Sequence, residues 1–317
     1  MQLTNRQTQA DRALLHLGRR LQADGYSFTC VTPATHQRNL DRPLTDPARS
    51  LRDIFGWNRR FAPERISPDE LEQMHLADIV EPQGSELRST VRFSTLGEWL
   101  FLHSGYPTES TDAVFFGPDS YRFAQVIQAH LQHSINPVNH AIEIGAGTGI
   151  GAIVIAAARR HAQVTAVDIN DLALRYTAIN VALAELANVS VAHSDVLQGV
   201  TGTFDLIVAN PPYMLDASER TYRHGGGTLG EGLSLRIVKE SLPRLAPGGT
   251  LLLYTGVAIV EGQDRFLDAL NDILEPTRWV WRYQELDPDV FGEQLLQPGY
   301  QDVERIAAVT LTVTCRE

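Results

Sequence analysis

Apolar residues recur at helical spacing near the start of the chain, at Ala10, Leu14, Leu17 and Leu21, with Thr4 and Gln7 spaced as a capping box and Gly25 ending the run. One amphipathic helix is predicted there. The next forty residues carry Pro33, Pro43, Pro47 and Pro63 among short apolar patches, which predicts loop and short helix. Order returns at Ser67 to Val80, where Ser67 suits an N-cap, Pro68 the first helical position, and Glu70 a reciprocal cap ahead of Leu71, Met74 and Ile79. Leu87 to Phe93 and Glu98 to His103 are β-rich and flank Ser94 to Gly97, predicting one hairpin. A helix followed by a hairpin makes residues 1–105 a small α+β accessory domain for substrate recognition, in an order that admits a winged-helix-like module.

Gly105 to Thr111 is the predicted linker to a second domain, 112–317. Predicted strands are His140 to Ile144, Val164 to Asp168, Val189 to His193, Asp205 to Ala209, Thr250 to Thr255, Trp279 to Tyr283 and Ile306 to Thr314, with helices near 119–133, 149–161, 170–186 and 231–246. Strand and helix alternating in this way predict an α/β fold: a doubly wound, seven-stranded, mostly parallel sheet covered on both faces.

The chain has 317 residues, room for two domains, and its 43% hydrophobic and 21% charged content fits neither disorder nor a disulfide scaffold. Its two cysteines, Cys30 and Cys315, form no metal-ligand spacing, so no metal is expected. No stretch approaches the ~20 apolar residues of a membrane span, and the polar start lacks a signal-peptide layout, so the expectation is a cytoplasmic protein without a membrane partner. Net charge is -11, which repels polyphosphate, yet residues 1–60 hold ten Arg against five Asp. Nucleic acid therefore stays a second choice of partner.

The first chemical signal is Ala141 to Gly151, an apolar strand entering a glycine-dense turn and then a helix. Glycine permits positive φ and lets backbone N–H groups approach a ligand. Asp168 ends the next strand, seventeen residues after Gly151, where a carboxylate can accept hydrogen bonds from both hydroxyls of a ribose. Glu143 and Asp195 fall at neighbouring carboxyl ends, the crevice where open α/β sheets bind ligands. Three carboxylates there suit a cationic ligand, such as a sulfonium with an ammonium, better than a pyrophosphate.

The second signal is Phe204 to Tyr213, an apolar strand ending in Asn210-Pro211-Pro212-Tyr213. Two prolines donate no N–H, which leaves the Pro211 carbonyl free to accept a bond from elsewhere. With the Asn210 carboxamide it can hold both hydrogens of a planar NH2 group in an amide, an aniline-like amine or a base, while Tyr213 offers a stacking face. Met214 to Gly232, with Tyr222 to Gly227 inside it, reads as a lid or acceptor-binding loop in which His224 is placed to take a proton. Asp119 and Tyr121 are candidates to close over a cofactor.

Taken together, Glu143-x-Gly145-x-Gly147-x-Gly149, Asp168, Asp195 and Asn210-Pro-Pro-Tyr213 resemble the class I S-adenosylmethionine-dependent methyltransferases, in the branch with an NPPY motif. The resemblance spans 112–317, and motif order is most similar to the HemK-like glutamine methyltransferases that modify peptide-release factors. Asp112 to Tyr121 lies where that group has a proline- and acid-containing segment; Asp287 to Glu293 departs from its pattern. The resemblance implies a Rossmann-like domain and S-adenosyl-L-methionine as cofactor. It implies that Glu143, Gly145, Ala146, Gly147, Gly149, Asp168, Ile169, Asp195, Val196 and Asn210 bind the cofactor, with Asp168 on the ribose and Asp195 by the adenine, and that Asn210, Pro211, Pro212 and Tyr213 carry the transfer.

The acceptor expected is a protein glutamine or asparagine amide or a small-molecule amine, with an RNA or DNA base amine as the alternative. A serine-hydrolase GxSxG is missing, and Lys239, the only lysine, sits in a helical pattern rather than after a glycine loop. Gly147, Gly149 and Ala152 also satisfy a dinucleotide fingerprint, so an NAD-dependent oxidoreductase is a distant alternative that leaves Asn210 to Tyr213 unexplained.

Overall fold

A computed structural model describes residues 8–42, 48–216, 220–274 and 278–316. The N-terminal part holds α1 (Gln9–Ala23), α2 (Pro33–Leu40), α3 (Leu51–Phe55) and α4 (Pro68–Leu76), then β1 (Val80–Gln83), β2 (Glu86–Ser89), β3 (Val91–Leu96) and β4 (Trp99–Ser104). The Thr4–Gln7 pair, Pro43 and Pro47 lie outside the described residues. Within them, α1 is capped by Thr8, whose hydroxyl accepts from the Asp11 N–H while the Asp11 carboxylate accepts from the Thr8 N–H. Ser67 and Glu70 cap α4 in the same reciprocal way. One hairpin was expected; there are two, β1 with β2 and β3 with β4. The run Leu87 to Phe93 is broken at Thr90, whose N–H bonds the Ile79 carbonyl and whose carbonyl takes the Gly105 N–H, so its two halves pair with different neighbours.

The remainder comprises α5 (Pro118–His133), β5 (His140–Ile144), α6 (Ile150–Ala158), β6 (Gln163–Asp168), α7 (Asp171–Leu183), β7 (Val189–His193), β8 (Phe204–Ala209), α8 (Gly232–Ser241), β9 (Leu245–Val260), β10 (Gln263–Asp264), α9 (Arg265–Ile273), β11 (Trp279–Asp287) and β12 (Arg305–Cys315). The long strands lie in the order β11-β12-β9-β8-β5-β6-β7, with β10 a short antiparallel addition to β9. Pairing is parallel from β7 through β9, and β12 alone runs opposite to both of its neighbours. This is a Rossmann-like sheet with one reversed strand.

Alternation along the strands fills both faces. Ala141 of β5 and Leu206 of β8 pack with Phe123, Ile127 and Ile153 of α5 and α6, whereas Ile142 and Ile207 pack with Ile237 of α8 and Phe266 and Leu270 of α9. The helix α9 went unpredicted although Asp264, Phe266, Leu270 and Leu274 carry its cap and its apolar stripe; the Asp264 carboxylate accepts from the Leu267 N–H. Pairing with β12 from Thr250 to Ile259 and with β10 at Val260 carries β9 past the expected 250–255.

The N-terminal part is joined to the sheet domain through α7. Its core, with Leu14, Leu17, Phe55 and Phe93, includes Tyr176, Ile179 and Leu183 of α7. Asn180, fully buried on the same helix, takes the Leu102 N–H at 2.7 Å and donates to the carbonyls of Leu102 and Thr148 at 3.1 and 3.0 Å. One side chain thus ties the β4 hairpin to the glycine turn.

Candidate active site

Register determines what meets at the carboxyl edge of the sheet. Ile144 pairs with Ala209 on one side and Val167 on the other, and Ala209 pairs with Leu253. Gly145, Asn210 and Tyr254, the next residues along β5, β8 and β9, therefore stand side by side, at the ~4.8 Å spacing of neighbouring strands. The chain runs outward from β5 to β7 and returns on the other side of β5 as β8, so Gly145 and Asn210 flank the switch point where such sheets bind ligands. A cavity of about 750 Å³ opens there. Glu143, Gly145, Ala146, Gly147, Asp168, Ile169, Asp195, Val196, Asn210, Pro211, Pro212 and Tyr213 all line it. Gly149 does not; at φ +76° it turns the chain into α6, with a methyl group there excluded by Thr177 at 2.6 Å.

Gly145 and Gly147 have φ of +66° and +56°, and nothing lies within 4 Å of a β-carbon built on either, so bare backbone faces the cavity. The Gly147 N–H donates to Asp168 Oδ2 and the Asn170 N–H to Oδ1, both at 2.9 Å. Each oxygen keeps a lone pair for a further donor. Burial raises the Asp168 carboxyl from its ordinary range against the pull of those N–H groups. Glu143 is buried, with its oxygens on the N–H groups of Gly151 and Ala152 at 2.9 and 2.8 Å. Burial pushes its carboxyl up to about 8. It braces the start of α6, which requires Gly151, since a β-carbon there would come 2.6 Å from Glu143 Oε1.

Asp195 departs from expectation. It borders the cavity, but both oxygens are gripped by Arg236 of α8 at 2.8 and 2.9 Å, and with Glu143 held by backbone N–H groups, Asp168 is the one of the three expected carboxylates left with capacity for a further donor. The ion pair joins residues 41 apart, a pairing that strand-end position alone does not show. An open glycine cradle beside a half-satisfied carboxylate still fits a nucleoside diol with a cationic amino-acid end.

Asn210 is half-buried, and among the described residues neither its carboxamide nor the Pro211 carbonyl has a hydrogen-bond partner. Tyr213 was expected to offer a stacking face; instead its ring is packed against Gly256 and edge-on to Phe291 at 6.2 Å. Its hydroxyl donates to Asp119 Oδ2. Asp119 also accepts from the Tyr254 hydroxyl at 2.8 Å and from Arg122 at 3.2 Å, and Arg122 reaches Asp287 at 2.7 Å. Asp119 therefore holds the motif from behind. Tyr121 does not close over the cavity: its hydroxyl accepts the Cys30 N–H at 2.9 Å and its ring meets Phe116 edge-on.

The loop after Tyr213 folds back on itself. The Met214 N–H bonds the Arg223 carbonyl at 3.1 Å, the Gly225 N–H bonds the Met214 carbonyl at 2.8 Å, and Thr221 bonds Thr111 at 3.1 Å. His224 Nδ1 accepts the Asp216 N–H at 3.3 Å, which engages the ring nitrogen that would otherwise be available to take a proton. Tyr222 stacks on Phe115 and bonds the Thr108 carbonyl at 2.9 Å. With His36, Arg92 and Tyr106 from the N-terminal part, this loop walls a second lobe of the same cavity. No sequence motif marks that lobe, because its residues come from four separate segments.

The methyltransferase small domain family matches residues 122–263. A release factor glutamine methyltransferase of Deinococcus radiodurans is 37% identical over 281 residues, covering 84% of this chain and 94% of that protein. A ribosomal protein uL3 glutamine methyltransferase of Neisseria gonorrhoeae is 33% identical over 130 residues, 38% of this chain and 44% of that protein. A release factor glutamine methyltransferase of Lactococcus lactis is 31% identical over 150 residues, 42% of this chain and 54% of that protein. The glycine cradle, the Asn210 edge and a relative matched along nearly its whole length agree, and the chain belongs to the HemK-like branch of the class I S-adenosylmethionine-dependent methyltransferases.

Proposed function

We propose that this enzyme methylates the side-chain amide nitrogen of a glutamine in a protein acceptor, with residues 1–105 and the loop from Met214 to Gly232 presenting that acceptor. One observation carries the reading: the Asn210 carboxamide and the Pro211 carbonyl, both without partners among the described residues, stand one strand from the Gly145 turn. The glutamine acceptors of its relatives support the choice of an amide over other planar amines.

S-adenosylmethionine supplies a methyl group on a sulfonium centre. Gly145 and Gly147 would receive its amino-acid end and Asp168 its ribose. Asn210 Oδ1 and the Pro211 carbonyl would each accept one N–H of the acceptor amide, which fixes the plane of that amide and points the nitrogen lone pair at the donor. Holding the reacting atoms ~3–3.5 Å apart supplies much of the acceleration. The same two oxygens stabilise positive charge as it develops on nitrogen. An amide nitrogen that has gained a methyl group is strongly acidic, so its proton leaves to water and no base on the protein is required.

Cofactor carrying a labelled methyl group, incubated with enzyme and a lysate separated into protein, RNA and metabolite fractions, tests the reading. Label in protein, released on hydrolysis as methylamine from N5-methylglutamine, is expected. Label confined to RNA would overturn it in favour of a base amine.

A further inference from the structure

The second lobe of the cavity contains a cation that has no counter-ion among the described residues. Arg92 lies on β3 opposite His103 and is only 3% exposed. Its Nε donates to the Ser104 carbonyl at 3.3 Å and its Nη1 to His36 Nδ1 at 3.4 Å, with the guanidinium 6.0 Å from the centre of the Tyr106 ring. Among the described residues, Nη2 has no hydrogen-bond partner and no carboxylate lies within 4.0 Å of Arg92. The neighbouring arginines offer no relief. Arg59 bonds the carbonyls of Asn39 and Leu40, Arg88 those of Asn58 and Tyr106, and neither makes an ion pair with a described residue.

Burying a charge without a partner is costly, and folded chains ordinarily pair or expose such groups. This chain has 38 acidic side chains, yet it sets against Arg92 two imidazoles that burial and Arg92 itself hold neutral. Glu109 also lines the cavity, but it is exposed, and its charge acts on Arg88 and Arg220.

We propose that Arg92 forms an anion subsite in the acceptor lobe and takes a carboxylate of the acceptor protein, near the amide that is methylated. The proposal rests on the protein-amide reading above for the source of the carboxylate, but the subsite itself does not depend on it. A carboxylate suits the place better than a phosphate. One free guanidinium edge matches one planar, singly charged group. A net charge of -11 with Glu109 at the same lobe disfavours a polyanionic strand.

Two arms test this on the full chain and its Arg92→Met variant. In the first, thermal midpoints are followed as succinate or inorganic phosphate is titrated at constant ionic strength. Succinate should raise the wild-type midpoint and leave Arg92→Met unmoved, and the variant without added anion should be at least as stable as wild type. No wild-type response, an equal response in the variant, or a response to phosphate alone would overturn the proposal, the last in favour of a nucleic-acid phosphate. In the second arm, methyl transfer is measured to peptides with a central glutamine, each carrying Asp or Glu at one flanking offset, paired with its Asn or Gln counterpart. Wild type should prefer the acidic member about tenfold in kcat/KM at one offset, the scale of a charge-assisted bond. Arg92→Met should bring that ratio to about one, chiefly through KM. Equal use of both members at every offset by wild type would overturn the proposed source of the carboxylate. Succinate binding with no peptide methylated would instead contradict the glutamine reading and leave the subsite standing.

Discussion

The hydroxyl of Tyr213 donates to the carboxylate of Asp119, 94 residues earlier in the chain and buried at the start of α5. The last residue of the Asn210 edge is thereby fixed to a helix on the other side of the sheet's end, and Tyr254 and Arg122 complete the cluster. Asp119→Asn retains the shape but removes one acceptor from three donors. It should lower kcat by about 10- to 100-fold, since small misplacements of reacting groups cost that much. Unfolding free energy should fall by about 1–3 kcal/mol. Cofactor affinity, measured by calorimetric titration, should change far less than kcat.

Gly256 on β9 leaves the space that the Tyr213 ring occupies. Gly256→Ala should displace that ring and so reduce turnover by more than tenfold. The circular dichroism spectrum should stay that of the wild type, because position 256 has ordinary strand backbone without positive φ.

Asn180 satisfies three backbone groups, at Leu102 and Thr148. Asn180→Ala strands all of them, and each buried unsatisfied group costs about 1–3 kcal/mol. A loss near 3 kcal/mol in urea unfolding is expected. Weaker cofactor binding should accompany it, since Thr148 belongs to the glycine turn.

His36 and His103 are buried, and burial first and Arg92 second hold both imidazoles below their ordinary value, His36 at about 3. The unfolded chain therefore binds more protons than the folded one between about 3 and the ordinary 6.5. Their contribution to stability is complete above 6.5 and is lost as pH falls through that window. Unfolding free energy should drop from pH 6.5 to 5, and the drop should be smaller in His36→Gln. An equal slope in the two proteins would contradict this assignment.

Much of the sheet was legible in the sequence because buried parallel strands such as Ala141 to Ile144 and Leu206 to Ala209 are continuous apolar runs bounded by turn residues. Gly145 and Asn210 were legible as neighbours for the same reason, both following such a strand. Relations between distant segments were not. Arg236 lies on a helical pattern like any surface arginine, and nothing local announces that it neutralises Asp195. Likewise Asn180 reads as a polar residue on an amphipathic helix until β4 is placed beside it. The break at Thr90 was hidden because both halves of Leu87 to Phe93 favour strands, and only their different partners separate them.

Asn210→Ala measures the central claim most directly. The account predicts a fall in kcat of roughly two to three orders of magnitude, the scale for loss of one positioned polar group at a reacting centre, while calorimetric affinity for S-adenosylmethionine stays within a few-fold of wild type. A parallel loss of both, or a variant that turns over normally, would contradict the role assigned to the Asn210 carboxamide.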